Sequence, residues 1–412
     1  MRLGAVIVTL VLALACSPLG GRCEIDLNPP PTPEPQVRQS LPGLSEGALE
    51  SSLPVEAGCA AVLLAEQDSG QIIFQMNPDS PRPVASVTKV MTILLTLEAM
   101  ESGRILKEDV VTVSDRAAGM GGSQVLLDAG ERQTVDVLLK SMIVGSANDA
   151  AVALAEALFG SEEACVDRMN ARAAELGMDG THFVNCTGLP AEGQRTTARD
   201  VAVMAREMFA RPAYFDYSRV WMEDVAHEGG RVTQLVNTNK LIRLCDGCDG
   251  GKTGSTKEAG YCVAATASRG GTRLVAVVLG APSGAERFDI ARRMLDYGFA
   301  NYRRYPVARA GTKVRGELPV TGGVKPGVAL RLGEDLTLLI KKGQEQAIRL
   351  EPDLPASLPA PVAEGDPVGG VRVSLEGRAV ARVPVVAAES VPARGLRSGI
   401  DRFWRQWPLL AG

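Results

Sequence analysis

Val84-Ala85-Ser86-Val87-Thr88-Lys89-Val90-Met91-Thr92-Ile93-Leu94-Leu95-Thr96-Leu97 carries one charge, Lys89, in an otherwise uncharged run. Val90, Ile93, Leu94 and Leu97 recur at helical spacing, which predicts a helix from Ser86 to about residue 101 with an apolar side. Residues i and i+3 of a helix are neighbours, roughly 5–6 Å apart at Cβ, so the Lys89 amine can reach the Ser86 hydroxyl. Taken alone, S-x-x-K is common and usually marks a capped helix with a solvated lysine. The absence of other charges nearby points here to a buried amine.

Two further motifs follow in order. Ser146-Ala147-Asn148 comes after Gly145, between one helical pattern over 134–144 and another beginning after Asn148. By themselves Ser and Asn at that break read as caps. Lys252-Thr253-Gly254 follows Gly250-Gly251 and leads into Ser255-Thr256, and glycines flanking a strand let a ligand approach the backbone.

Taken together, the three motifs describe attack on an amide through an acyl-serine. Ser86 is the expected nucleophile and Lys89 its base. Ser146 would bridge the two lysines and relay a proton to the leaving amine, and Asn148 would hold Lys89 and the substrate backbone. Lys252 and Thr253 would clamp a carboxylate, with Gly254 and Ser255 continuing the substrate-binding strand. The N–H groups of Ser86 and Ser255 are the expected oxyanion donors.

A lysine base must be neutral part of the time. Bringing its pKa from about 10.4 to near 7 costs about 4.6 kcal/mol. Burial, a second cation at Lys252 and the helix N-terminus all push that way.

The composition removes several alternatives. The only histidines are His182 and His227, with no G-x-S-x-G elbow and no H-E-x-x-H helix. A Ser-His-Asp hydrolase and a zinc site are therefore both poorly served, and neither metal nor cofactor is implied. Net charge is −4 with acids and bases mixed, so nucleic acid is not an expected partner.

The chain's 412 residues suffice for two or three domains. Residues 1–15 read as a cleavable secretory signal, with Arg2, an apolar run and Ala13-Leu14-Ala15 before Cys16. Cys16 also raises lipidation, which the alanine at the third position before it weakens. The Pro-rich 16–57 segment reads as an extended spacer.

A catalytic domain is expected over 58–305. It opens with a hairpin over 59–74 turning at Asp68-Ser69-Gly70, and closes with a hairpin turning at Arg269-Gly270-Gly271 and a helix over 288–302. A small all-β domain follows over 306–390. In the 392–412 tail, Leu396, Ile400, Phe403, Trp404 and Trp407 share a helical face beside Arg397, Arg402 and Arg405, the pattern of an interfacial membrane helix. The eight cysteines of an exported chain permit disulfides, and Cys245-x-x-Cys248 reads as a structural disulfide or as buried thiols.

The chain resembles the low-molecular-mass penicillin-binding proteins that act as serine-type D-alanyl-D-alanine carboxypeptidases. Around the three motifs the resemblance includes Val144-Gly145-Ser146-Ala147-Asn148-Asp149-Ala150-Ala151, His182-Phe183-Val184-Asn185-Cys186-Thr187-Gly188-Leu189, Thr197-Ala198-Arg199-Asp200, Asn239-Lys240-Leu241 and Asp249-Gly250-Gly251. It implies an α/β fold of the α+β type, an antiparallel sheet flanked by helices with an all-α subdomain, followed by the β-rich domain. It implies the terminal D-Ala-D-Ala of peptidoglycan stem peptides as substrate, β-lactams as covalent inhibitors of Ser86, and action outside the cytoplasmic membrane. Gln194-Arg195 stand where many relatives carry a histidine, and Ser255 is often larger.

Three other functions compete. A class A β-lactamase would need a Glu four residues before an Asn, and no Glu between Ser146 and Lys252 has one. A non-catalytic wall-binding scaffold would be marked by loss of a motif residue, and none is lost. A D,D-endopeptidase would use the same site.

Overall fold

The computed structural model describes residues 41–46 and 58–395. The chain divides between 303 and 304 into two compact units. The first contains β1 (Ser45–Glu46), β2 (Ala61–Glu66), β3 (Gln71–Met76), α1 (Lys89–Glu101), β4 (Val110–Thr112), α2 (Asp115–Ala118), β5 (Arg132–Thr134) and α3 (Val135–Lys140). It continues with α4 (Asn148–Phe159), α5 (Glu162–Glu175), α6 (Ala198–Phe209), α7 (Pro212–Ser218), β6 (Met222–Ala226), β7 (Val232–Val236) and α8 (Leu241–Leu244). β8 (Cys248–Thr256), β9 (Gly260–Arg269), β10 (Thr272–Ala281) and α9 (Gly284–Asn301) close it.

Its main sheet runs β1-β3-β2-β10-β9-β8, antiparallel throughout except for β1 on β3. The central strands are covered on both faces, which explains their near-continuous apolar sequence. Leu63, Ala65, Val275 and Val277 pack into one core with α1, α4 and α6. Gly298 of α9 lies against Leu64 and Leu274 on the opposite face.

α1 is buried all round from Lys89 to Leu97 rather than along one side, because α4, α5 and α6 surround it. Among the five longest helices, α5, α6 and α9 are capped by the hydroxyls of Ser161, Thr197 and Ser283. α1 and α4 have no side-chain cap. Their first residues, Lys89 and Asn148, point their polar groups elsewhere.

Two local features depart from the sequence reading. Ser45–Glu46, inside the expected 16–57 spacer, pair with Gln71 and Ile72 of β3, and the buried Arg206 donates to Pro42 O at 2.9 Å. A docked strand rather than free spacer runs there. The β6–β7 hairpin and the helices α5 to α7 were not foreseen from periodicity.

The second unit is all-β: β11 (Tyr302–Ala308), β12 (Lys313–Thr321), β13 (Gly327–Leu332), β14 (Leu336–Lys341), β15 (Ile348–Asp353), β16 (Leu358–Pro359), β17 (Pro367–Leu375) and β18 (Arg378–Ala387). A six-stranded sheet runs β15-β17-β18-β13-β12-β16, and β11 pairs with β14. Val328, Leu330, Val371, Val373 and Val385 form its core.

Backbone pairing continues past the expected tail boundary, with Val391 on Val362, Ala393 on Gly323, and Arg394 N donating to Gly322 O at 2.8 Å. The signal segment 1–15 and tail residues 396–412 lie outside the described residues. No helix among the described residues is long and apolar enough to cross a membrane.

Candidate active site

The serine motif begins in a 3₁₀ turn, Ala85–Thr88, that feeds directly into α1. Ala85 takes φ +49°, a left-handed conformation uncommon for a residue with a Cβ. Gly188 presses on that corner: a Cβ there would lie 1.9 Å from Ala85 O. A Cβ on Gly254 would lie 2.5 Å from Val84 O and 2.8 Å from Ser86 N. The backbone around Ser86 is thus pinned by two glycines, and the K-T-G strand touches the nucleophile's own amide.

Lys89 is fully buried. Its Nζ lies 3.0 Å from Ser86 Oγ, 2.5 Å from Asn148 Oδ1 and 2.7 Å from Thr187 O. An ammonium has three donors and all would be used. A neutral amine has two, and the two acceptor-only oxygens of Asn148 and Thr187 take them. The lone pair then faces the one partner that can donate back, the Ser86 hydroxyl.

Burial pulls the Lys89 amine down to about 7, against the nearby thiol of Cys186 and carboxylate of Asp149, which pull it up. That carboxylate is spoken for, since it accepts from Val125 N, Leu126 N and Leu127 N at 2.8–3.1 Å. The same loop supplies Gly121 O, which accepts from Asn148 Nδ2 at 2.6 Å.

Ser146 follows a single wide turn, Ser141–Gly145, and itself sits at φ +63°. Its hydroxyl accepts from Lys252 Nζ at 2.8 Å, and Lys252 also donates to Thr253 O at 2.9 Å. Among the described residues Ser146 is bonded to Lys252 and not to Lys89, so it does not bridge the two amines as expected. Lys252, also buried, is held well below the ordinary lysine value, first by burial and then by repulsion from Lys89 and Arg287. For Lys89, burial rather than the second cation is the main cause.

Thr253 Oγ1 donates to Thr238 Oγ1 at 2.8 Å, and Thr238 N donates to Val144 O, tying β8 to the Ser146 turn. β8 is the last strand of its sheet, and side chains satisfy the outer edge of its first half. Tyr214 OH accepts from Gly251 N at 3.0 Å and donates to Gly251 O at 3.1 Å. Asn239 Nδ2 donates to Gly250 O, and Ser218 Oγ to Asp249 O. Arg287 donates to Gly254 O at 3.1 Å and to Cys262 O.

The structure therefore brings Ser86, Lys89, Ser146, Asn148, Lys252, Thr253 and Gly254 together, with exposed Ser255 next along the strand. Several supporting groups escaped the sequence reading. Thr187 and Gly121 act through carbonyls, which leave no trace in residue type. Asp149 beside Asn148 reads as ordinary helix-start chemistry. Gln194 accepts from Val184 N and Asn185 N and so braces the loop that presents Thr187.

His227 is enclosed by Glu131 and Thr233 at 2.8 and 2.9 Å. Cys245 and Cys248 are free buried thiols. Among the described residues no cluster of His, Cys, Asp or Glu is arranged to hold a metal ion.

A family model described as D-alanyl-D-alanine carboxypeptidase matches residues 48–283, and one described as penicillin-binding protein 5, C-terminal domain, matches 302–393. D-alanyl-D-alanine carboxypeptidase DacF of Bacillus subtilis is 36% identical over 88% of this chain and 92% of its own length. DacD of Escherichia coli is 32% identical over 86% and 92%. Penicillin-binding protein 5 of Haemophilus influenzae superposes with TM-score 0.74 at 30% identity, covering 83% of this chain and 100% of that one. Penicillin-binding protein D2 of Listeria monocytogenes, solved in its ampicillin-bound form, gives 0.51 at 29% identity over 60% and 100%.

Proposed function

The chain belongs to the D-alanyl-D-alanine carboxypeptidase family, and we propose that it removes the terminal D-alanine of peptidoglycan stem pentapeptides through an acyl-Ser86 intermediate. The observation that carries this is the buried Lys89 amine, 3.0 Å from Ser86 Oγ with its other two partners acceptor-only.

The substrate's terminal carboxylate sits at Lys252 and Thr253. There it supplies the negative charge that two neighbouring buried amines lack, and favours the protonated form of Lys252. Ser86 Oγ attacks the carbonyl of the penultimate D-alanine while Lys89 Nζ takes its proton. The oxyanion lies against the amides of Ser86 and Ser255. Ser146, hydrogen-bonded to Lys252, passes a proton to the departing D-alanine nitrogen. Once D-alanine leaves, Lys89 gives up the Ser86 proton to solvent, as its value of about 7 allows, and Lys252 regains one from solvent. The free Lys89 amine then takes a proton from the water that attacks the ester and returns it to the departing Ser86 oxygen.

β-Lactams follow the same first half and leave Ser86 acylated. Working on this substrate places the enzyme outside the cytoplasmic membrane. The signal-like start and the amphipathic pattern of 392–412 support export and a membrane-surface association. Ser86→Ala should abolish D-alanine release from a pentapeptide and the penicillin adduct, while the thermal transition is kept. In the wild type the adduct should map to the peptide containing Ser86. Release of D-alanine by the variant would overturn the assignment.

A further inference from the structure

We propose that a pocket beyond the K-T-G strand reads the third residue of the stem peptide, favouring a side chain that ends in a free carboxylate next to an ammonium. This rests on the carboxypeptidase reading and adds to it a preference for a diamino dicarboxylic acid over lysine.

Direction along β8 sets the argument. The leaving group's carboxylate lies at Lys252 and Thr253, and Gly254 abuts Ser86 N. The peptide on the other side of the scissile bond must then run past Ser255 and Thr256, at about 3.3 Å per residue, toward the turn at 257–259. A cavity of about 500 Å³ opens there, lined by Arg82, Ser255, Thr256, Lys257, Glu258 and Tyr261 among others.

Arg82 lies four positions before Ser86. Its backbone is fixed by a two-way pairing with Thr196 at 2.8 and 2.9 Å. Its Nε is buried without an acceptor, and among the described residues no carboxylate pairs with its guanidinium. A buried donor without a partner is costly, and a ligand carboxylate that draws the guanidinium toward the pocket would remove that cost. The planar guanidinium matches a carboxylate with two parallel hydrogen bonds. Lys257 adds a second positive charge to the lining, and Glu258 supplies the single negative charge that suits an ammonium. Two cations and one anion fit a side chain ending in both groups, and fit neither a lone ammonium nor an amidated end.

The test compares N-acyl-diaminopimelyl-D-Ala-D-Ala with its lysyl counterpart, which lacks only the carboxylate, and with its side-chain amide. Active sites are counted by labelled penicillin, so that kcat/KM refers to folded enzyme. The wild type should prefer the free acid about tenfold over both others, the worth of one charge-assisted pair. Arg82→Gln should bring that ratio close to one, and added salt should compress it in the wild type. Lys257→Gln, on the exposed turn and harmless to folding, should lower the ratio about threefold. Equal rates on all three substrates, or a ratio unchanged in both variants, would refute the pocket's role. Failure of the wild type to release D-alanine from any of them would instead remove the carboxypeptidase reading, and the pocket's role with it.

Discussion

Replacing Lys252 by methionine separates two explanations for a neutral base at residue 89. Lys89 is brought from 10.5 to about 7, which at about 1.36 kcal/mol per pH unit is about 5 kcal/mol of bias toward the uncharged amine. Burial is the main cause. The charges that act on Lys89 are Cys186 and Asp149, both of which raise its value, and Lys252 is not among the groups that shift it.

The acylation rate of a fluorescent penicillin, measured by stopped flow from pH 5 to 10, should therefore be flat above about 7. Below that it should fall tenfold per pH unit, reaching about one hundredth of the plateau at pH 5. Lys252→Met should lower the plateau, since the inhibitor's carboxylate loses its cation, while the midpoint stays within about half a pH unit. A midpoint two or more units higher would mean that repulsion, not desolvation, keeps the base neutral. A wild-type profile without any acid limb would eliminate the lone pair as the acting group. The same titration affects stability. The unfolded chain holds this proton up to about 10.5 and the folded chain only to about 7, so between those values the folded state gains on the unfolded as pH rises.

Gly254→Ala would set a methyl 2.5–2.9 Å from three backbone atoms around Ser86, none of which is a flexible side-chain end. Penicillin acylation should fall at least about a hundredfold, a misplacement effect, with about 1–3 kcal/mol lost in urea unfolding. Asn148→Ala strips Lys89 Nζ of its 2.5 Å acceptor and leaves Gly121 O without its donor. A loss of about 1–3 kcal/mol in the same unfolding experiment and slower acylation are expected. An unchanged melt would mean that the 121–127 loop is not held through this amide.

Much of the site was legible because its chemistry lives in side chains with fixed spacing. Ser86 and Lys89 are one helical turn apart, and an uncharged run around Lys89 announces burial before any coordinates exist. The hairpins β2–β3 and β9–β10 were readable from their turns. What escaped depends on distance in the chain. Thr187 O reaches Lys89 across 98 positions through a carbonyl that any residue possesses. The β6–β7 strands alternate exposed and covered positions, but each buries a single apolar residue, Val225 or Leu235, which is too little to stand out as a pattern. Ser146 sits at a left-handed corner and, among the described residues, bonds Lys252 rather than Lys89, and Ser does not advertise that backbone state. Strand β1 was hidden for a related reason, since two residues in a Pro-rich context carry no periodicity at all.

The edge of β8 has a consequence for solubility. An outermost strand with open amides and carbonyls invites another chain to extend the sheet, the route by which such proteins clump. Here one phenol fills both the donor and acceptor positions of Gly251, and an amide and a hydroxyl occupy the two carbonyls before it. A stranger's strand finds no continuous ladder to zip onto, and past Lys252 the Thr253 and Gly254 carbonyls already accept from Lys252 and Arg287. Removing the Tyr214 hydroxyl would open that edge and give misassembly a foothold next to the catalytic groups.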